Sequence, residues 1–368
     1  MHTSKLVRFT AVSAIAALAL TACSDSESTD SAANSDSSAA SESADESGSD
    51  SESSNPADES QFPVTVEHAL GETVIEEKPE RVATVGWANH EVPLSFGIVP
   101  VGMSKSTWGD DDDNGIMPWT EDKLEELGAE EPVLFDETDG IPFEQVADTQ
   151  PDVILAAYSG LTQEDYDTLS QIAPVVAYPD KPWTTSAYDM VSLDAAGLGL
   201  SAEAEELNAD LKKQVEEAMA QYPELEGKKP LFTSFGGASS ESQIGFYTLD
   251  DPRAGFLEEA GFETPEIVKE YTGNSDSFWE EVSAENPEQF EDVDFFISFS
   301  SGDEAADQQA LEDMQADPLM SKIPAIAEGR VVFLEAGPLG AAANPSPLSI
   351  PWGIDDYFAE LNTAFEAE

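Results

Sequence analysis

From residue 61 onward, apolar residues fall into short β-rich runs separated by stretches of helix formers. Strand-like runs occupy 63–66, 74–75, 81–86, 99–103, 132–135, 152–158 and 175–178, and helical patterns fill 87–96, 121–127, 143–149 and 161–172. Strands that alternate with helices in this way predict βα units and a mostly parallel sheet. The pattern changes between 185 and 222, where helix formers dominate and the internal breakers are Gly197 and Gly199. That stretch is far too long for a loop, so it predicts a mainly helical connector. Alternation then resumes, with strands at 229–235, 244–247, 293–299 and 331–334 and helices at 252–260, 287–290, 304–314 and 349–365. Segments 143–155 and 282–297 share a further likeness. Each runs from a short acidic helix into an apolar strand, and each strand leads to a Ser-Gly pair, Ser159-Gly160 and Ser301-Gly302. Two related halves on either side of a helical segment predict an α/β fold of two lobes facing a cleft.

The first 60 residues follow neither period. Lys5 and Arg8 precede a stretch, 9–22, that is apolar apart from Thr10, Ser13 and Thr21, and Leu20-Thr21-Ala22-Cys23 closes it. A basic start, a short apolar core and a small-residue cleavage site make a secretory signal peptide, assigned to 1–22. The core is shorter than the ~20 residues a membrane-spanning helix needs. The four closing residues resemble the bacterial lipobox, in which the cysteine is lipid-modified and becomes the new N-terminus. Cys23 is therefore the expected lipidation site, and the expected location is the cell membrane, anchored on its extracytoplasmic face. Residues 24–60 hold 15 Ser and 11 acidic residues, with no aromatic or branched aliphatic side chain. Such a segment has no apolar surface to offset the entropy of ordering, so 23–60 reads as the lipidated cysteine followed by a disordered acidic tether.

Charge narrows the partners. The formal net charge is −61, and about −52 remains after residue 60 once the tether's acids and the leader's two bases are set aside. That excess argues against nucleic acid and against anionic lipid headgroups. A single cysteine excludes a disulfide framework and any multi-cysteine metal site. No Gly-x-Ser-x-Gly elbow, phosphate-cradling glycine loop or His-Glu-x-x-His pattern occurs, so no enzyme class is indicated.

Five segments in order resemble the iron-siderophore substrate-binding lipoproteins of ABC importers, relatives of the vitamin B12-binding protein. They are Phe62-Pro-Val-Thr-Val-Glu-His-Ala-Leu-Gly71, Lys78-Pro-Glu-Arg-Val82, Gln150-Pro-Asp-Val-Ile154, Asp251-Pro-Arg-Ala-Gly-Phe-Leu257, and Asp317-Pro-Leu319 through Glu328-Gly-Arg-Val-Val332. The resemblance covers residue 62 to the C-terminus. It implies two α/β lobes, 61–184 and 223–368, joined by one long helix within 185–222. It also implies a ferric siderophore as ligand, permease subunits as partners, no cofactor and no catalytic or metal-ligating residue; the protein is expected to act as a monomer.

A ferric siderophore wraps its own iron, so its receptor needs aromatic contact area and a few cations or hydroxyls aimed at chelate oxygens. The candidates are Trp87, Trp108, Tyr158, Trp183 and Trp279, each of which could instead pack in a core. Ligands of open α/β sheets sit beyond the carboxyl ends of strands, which favours Trp87 and Tyr158. Arg253 matches the position where relatives that bind catecholate chelates place an arginine over the chelate oxygens; the other role open to it is pairing with Asp250 or Asp251. The further arginines of relatives with strongly anionic ligands are absent, their places taken by Tyr158-Ser159 and Phe299-Ser300. This favours a hydroxamate or mixed chelate, with Lys105 and Lys181 as further candidate cations. By the same resemblance Glu144 and Glu285, one per lobe, match the glutamates that meet permease arginines. Haem or cobalamin is the alternative ligand, with His90 as candidate axial ligand. Zinc or manganese would need several histidines, and only His68 and His90 follow the signal peptide.

Overall fold

The structure is a computed structural model and describes residues 55–235, 243–274 and 277–366. Its first strands are β1 (Val64–His68) and β2 (Gly71–Ile75), an antiparallel pair preceded by a 3-10 turn, Glu59–Gln61. Period-2 burial is plain in both: Val66, His68, Thr73 and Ile75 face inward while Glu67, Glu72 and Val74 face solvent.

Lobe one follows as β3 (Val82–Thr84), α1 (Glu91–Ser95), β4 (Gly102–Ser104), α2 (Pro118–Leu127), β5 (Val133–Phe135), α3 (Phe143–Asp148), β6 (Val153–Ala156), α4 (Gln163–Leu169) and β7 (Val175–Ala177). The five strands form a parallel sheet in the order β5-β4-β3-β6-β7. Every residue of β3, β6 and β7 is buried, the signature of strands covered on both faces. Chain order reverses between β3 and β6, so a topological switch point lies at their carboxyl ends.

The connector is two helices rather than one. α5 (Ala187–Gly197) packs on β1, β6, β7 and α1 and belongs to lobe one. α6 (Ser201–Met219), about 28 Å long at 1.5 Å per residue, is the long helix joining the lobes. The break has a steric cause. Gly199 sits at φ +75°, and a Cβ there would lie 2.7 Å from the Phe62 ring. Just before it, the Leu198 carbonyl accepts a hydrogen bond from Asn55 Nδ2 at 3.0 Å. Asn55 and Ala57 are buried at this corner. The tether boundary at 60 is thereby corrected: folded structure begins no later than Asn55, because Asn55, Ala57 and Phe62 close the α5–α6 bend. Cys23 and the rest of the expected leader and tether lie outside the described residues.

Lobe two contains β8 (Pro230–Phe232), β9 (Gln243–Tyr247), α7 (Pro252–Glu259), α8 (Glu266–Tyr271), β10 (Trp279–Ser283), β11 (Phe295–Phe299), α9 (Glu304–Ala316), α10 (Pro324–Ala327), β12 (Val331–Leu334), α11 (Pro338–Ala342) and α12 (Ser349–Asn362). β12-β11-β8 is parallel, β10 and β9 are antiparallel, and a Thr233–Phe246 bridge links the two sheets. The related segments of the sequence end in β6 and β11, each an inner strand of its lobe's parallel sheet.

The end of the chain also departs from a simple two-lobe division. Ala341 packs with Met117 and Trp119 of lobe one, and α12 packs along α6. One apolar cluster runs from Ala57 and Val66 through Leu211 and Val215 of α6 to Phe295, Ile350 and Phe358. A shared core of this kind resists hinge motion between the lobes.

Candidate functional site

At the switch point the chain leaves β3 through Gly86 and Trp87 and leaves β6 through Tyr158 and Ser159. Gly86 has φ +79°, and a Cβ there would stand 2.6 Å from the Tyr158 carbonyl oxygen, so the two strand exits touch only because residue 86 is glycine. Buried Asn89 locks them: its Nδ2 donates to Val85 O at 2.8 Å and Tyr158 O at 2.9 Å, and its Oδ1 accepts from Tyr158 N at 2.9 Å.

A cleft of about 420 Å³ opens here, bounded in lobe one by Trp87, Tyr158 and Trp183 and in lobe two by Arg253 and Phe278. Tyr158 is 5 % exposed, its hydroxyl accepting from Asn344 Nδ2 at 3.1 Å, and burial holds the phenol well above its ordinary pKa. Trp183 stands edge-on to Tyr158 at 5.5 Å, on a backbone with φ +62° held by a 3.0 Å bond from its N–H to Ser159 O. A left-handed conformation at a bulky residue costs about 1–3 kcal/mol, which the surrounding contacts offset.

Arg253 stands in the first turn of α7 and makes a two-pronged pair with Asp251, Nε to Oδ1 and Nη2 to Oδ2, both at 2.7 Å. Its guanidinium carbon lies 4.2 Å from the centre of the Tyr247 ring. Asp251 is 1 % exposed and also caps α7 by accepting from Arg253 N. Pairing with Asp251 and a position at the cleft border thus go together: Arg253 is preoriented there with donors to spare.

The other expectations separate. Trp108 is 41 % exposed and packs edge-on against Phe299 at 5.1 Å, outside the cleft lining, although Thr107 beside it belongs to that lining. Trp279 opens β10, covers Gly245 and contacts Tyr247 at 4.9 Å; Phe278 takes the lining position instead. Lys105 lines the cleft, whereas Lys181 pairs across the lobes with Asp250 at 3.7 Å. Glu144, in the first turn of α3, and Glu285, just before the 3-10 turn Pro287–Phe290, are both exposed. Cys23 lies outside the described residues.

His90 does not reach the cleft. It is buried, its Nε2 3.3 Å from Thr120 Oγ1, and burial pulls its pKa down to about 4. An axial-ligand role is thereby disfavoured. His68 is likewise structural, its Nε2 3.0 Å from Thr73 Oγ1 and its ring edge-on to Tyr166.

Several site residues carry no sequence signal. Asn344 comes from the far end of the chain. Glu137, half-buried, accepts from Gly86 N at 3.1 and 3.2 Å; desolvation raises its pKa against the opposing Gly86 and Ser104 hydrogen bonds. Glu91 is 2 % exposed and joins the lobes, accepting from Trp119 Nε1 at 2.7 Å and Leu348 N at 3.0 Å.

Known proteins share this architecture. A solved structure of PiaA from Streptococcus pneumoniae in complex with ferrichrome is 43 % identical, with a TM-score of 0.76, covering 82 % of this chain and 98 % of that one. A periplasmic solute binding protein of Mycobacterium smegmatis is 26 % identical at a TM-score of 0.63, covering 82 % of this chain and 99 % of its own. A Bacillus subtilis protein named as a probable siderophore-binding lipoprotein, YfiY, is 26 % identical over 300 residues, 78 % of this chain and 87 % of its own. The model of the periplasmic binding protein family matches residues 82–337. This chain belongs to the periplasmic binding protein family.

Proposed function

We propose that this protein captures a ferric siderophore of hydroxamate or mixed type outside the cytoplasm and delivers it to the permease of an ABC importer. The observation that carries this reading is the cleft at the switch point, where Trp87, Tyr158, Trp183 and Phe278 supply aromatic walls and Arg253 the preoriented donors. The likeness to a ferrichrome-bound protein at 43 % identity supports the hydroxamate class. So does charge: a protein of net charge −61 repels a trianionic chelate far more than a neutral one. The ligand brings its own iron, so the receptor needs no cofactor and no catalytic group. Lipidation at Cys23 anchors the monomer on the extracytoplasmic face of the cell membrane, and exposed Glu144 and Glu285 present one carboxylate per lobe to the permease.

Tryptophan fluorescence tests the reading. Ferrichrome is expected to quench with submicromolar affinity, and a ferric triscatecholate to bind more weakly. Removing Arg253's charged hydrogen bonds, each worth about 1.5–3 kcal/mol, should weaken ferrichrome binding in Arg253→Ala by roughly 10- to 100-fold. Absence of quenching by any ferric chelate would overturn the proposal.

A further inference from the structure

A second cavity of about 200 Å³ adjoins the cleft and shares Gly86, Glu137 and Trp183 with it. It runs into lobe one between the 137–141 loop and the Ser159-Gly160-Leu161 turn that follows β6. Its chemistry differs from that of the cleft. Two carboxylates border it, Glu137 and Asp165, together with one indole, Trp183, and no Lys or Arg.

The two carboxylates are not equally committed. Asp165 Oδ2 accepts from the Thr162 backbone N–H and hydroxyl as part of the α4 capping box, so its charge already serves the helix start. Glu137 accepts from Gly86 N and the Ser104 hydroxyl, yet no Lys or Arg of the described residues pairs with it. Lys105 borders the larger cavity without forming an ion pair to it. A half-buried carboxylate without a cation has surrendered hydration that hydrogen bonds from Gly86 and Ser104 recover only in part. An alkylammonium beside it recovers that energy, and the Trp183 face adds a cation–π contact worth about 0.5–2 kcal/mol. A neutral or anionic substituent gains neither.

Resting on the siderophore reading, we propose that this side cavity is a subsite for a cationic arm of the ligand: the protein selects chelates that carry a pendant primary amine. Glu137 is its specificity-determining residue, and Trp183 forms the wall shared with the chelate cleft. Linear hydroxamate chelates that end in a diamine unit bear such an arm, whereas cyclic peptide hydroxamates such as ferrichrome bear none.

Ferrioxamine B, a linear trihydroxamate with a free terminal ammonium, and its N-acetyl derivative are the probes, with ferrichrome as control. On the wild-type protein, N-acetylation should weaken binding roughly tenfold, which corresponds to about 1.4 kcal/mol. In Glu137→Gln that difference should vanish, with ferrioxamine B falling to the affinity of its N-acetyl derivative. Equal affinity of the wild type for the two linear chelates overturns the subsite, and this comparison does not depend on any variant folding. An equal loss for all three chelates in Glu137→Gln also overturns it, since Glu137 would then act only by shaping the Gly86 turn. Failure of the wild type to bind even ferrichrome would instead sink the siderophore reading itself.

Discussion

At the residue scale, two neighbours at the start of α1 are shifted in opposite directions by the same cause. Burial pushes the Glu91 carboxyl up to about 7 and pulls the His90 imidazole down to about 4. Between about pH 4.5 and 7 the folded protein holds the Glu91 proton more tightly than the unfolded chain, so this residue makes stability fall as pH rises. His90 acts in reverse: between about pH 4 and 6.5 the unfolded chain takes up a proton that the folded protein refuses, so stability rises with pH. Each effect amounts to about 3 kcal/mol over its full range, and the two largely cancel where they overlap. Urea unfolding of Glu91→Gln should therefore show stability rising with pH from 4 to 6.5 relative to wild type, and His90→Asn should show it falling from 4.5 to 7. Parallel profiles for wild type and Glu91→Gln would refute the shift at Glu91. Neither residue's role could be read from the sequence. Glu91 is one of 76 acidic residues, and what singles it out, Trp119 and Leu348, lies 28 and 257 positions away. Trp87, Tyr158 and Arg253 were legible because strand ends and a helix start locate them without any long-range contact.

At the scale of elements, the turn after β6 decides where the cleft wall stands. A Cβ on Gly160 would lie 2.2 Å from Trp183 Nε1 and 2.6 Å from Cε2, so only glycine lets the indole lie over that turn. Gly160→Ala should displace Trp183, which is 37 % exposed and can swing into solvent. The expected result is a fall of up to about tenfold in ferric chelate affinity, the loss of an aromatic contact worth about 0.5–1.5 kcal/mol. Thermal melting should shift little, because a partly exposed side chain can move aside without opening the core. Unchanged affinity alongside an unchanged melt would show that Trp183 is not part of the ligand wall. The Ser-Gly pair behind each inner strand is visible in the sequence, but not which indole it admits. Most strands and helices were legible from period and breakers alone. β10 was not: Trp279-Glu-Glu-Val-Ser283 has two adjacent acids, and its strand character comes from pairing with β9. The α5–α6 break lay hidden for a related reason. Gly199 marks a stop, yet the stop is enforced by Phe62 together with Asn55 and Ala57, the last two in a segment whose polar composition suggested no structure.

At the scale of the whole molecule, the lobes share a core, a long helix and the Glu91, Asn344 and Lys181 contacts, so ligand capture cannot depend on wide closure. On the proposed function, a receptor that changes shape little meets its permease through a fixed surface, and Glu144 and Glu285 precede equivalent inner strands, one in each lobe. Against a net charge of −61, any such pair is anonymous by charge alone. The same charge also makes the pair testable. Reversing two carboxylates changes the total by only four charges, leaving the long-range field that steers encounter nearly intact, while contacts at a docking surface act within a Debye length of about 8 Å. Glu144→Lys combined with Glu285→Lys should therefore abolish iron uptake in cells dependent on this receptor and leave ferrichrome quenching of the purified protein within about twofold of wild type. Reversal of two other exposed acids, Glu67 and Glu203, should leave both readouts unchanged. Uptake that survives the first pair refutes the docking assignment. A loss of affinity would place these glutamates in ligand binding, and a loss of uptake in both pairs would make bulk charge, rather than these two positions, the determinant.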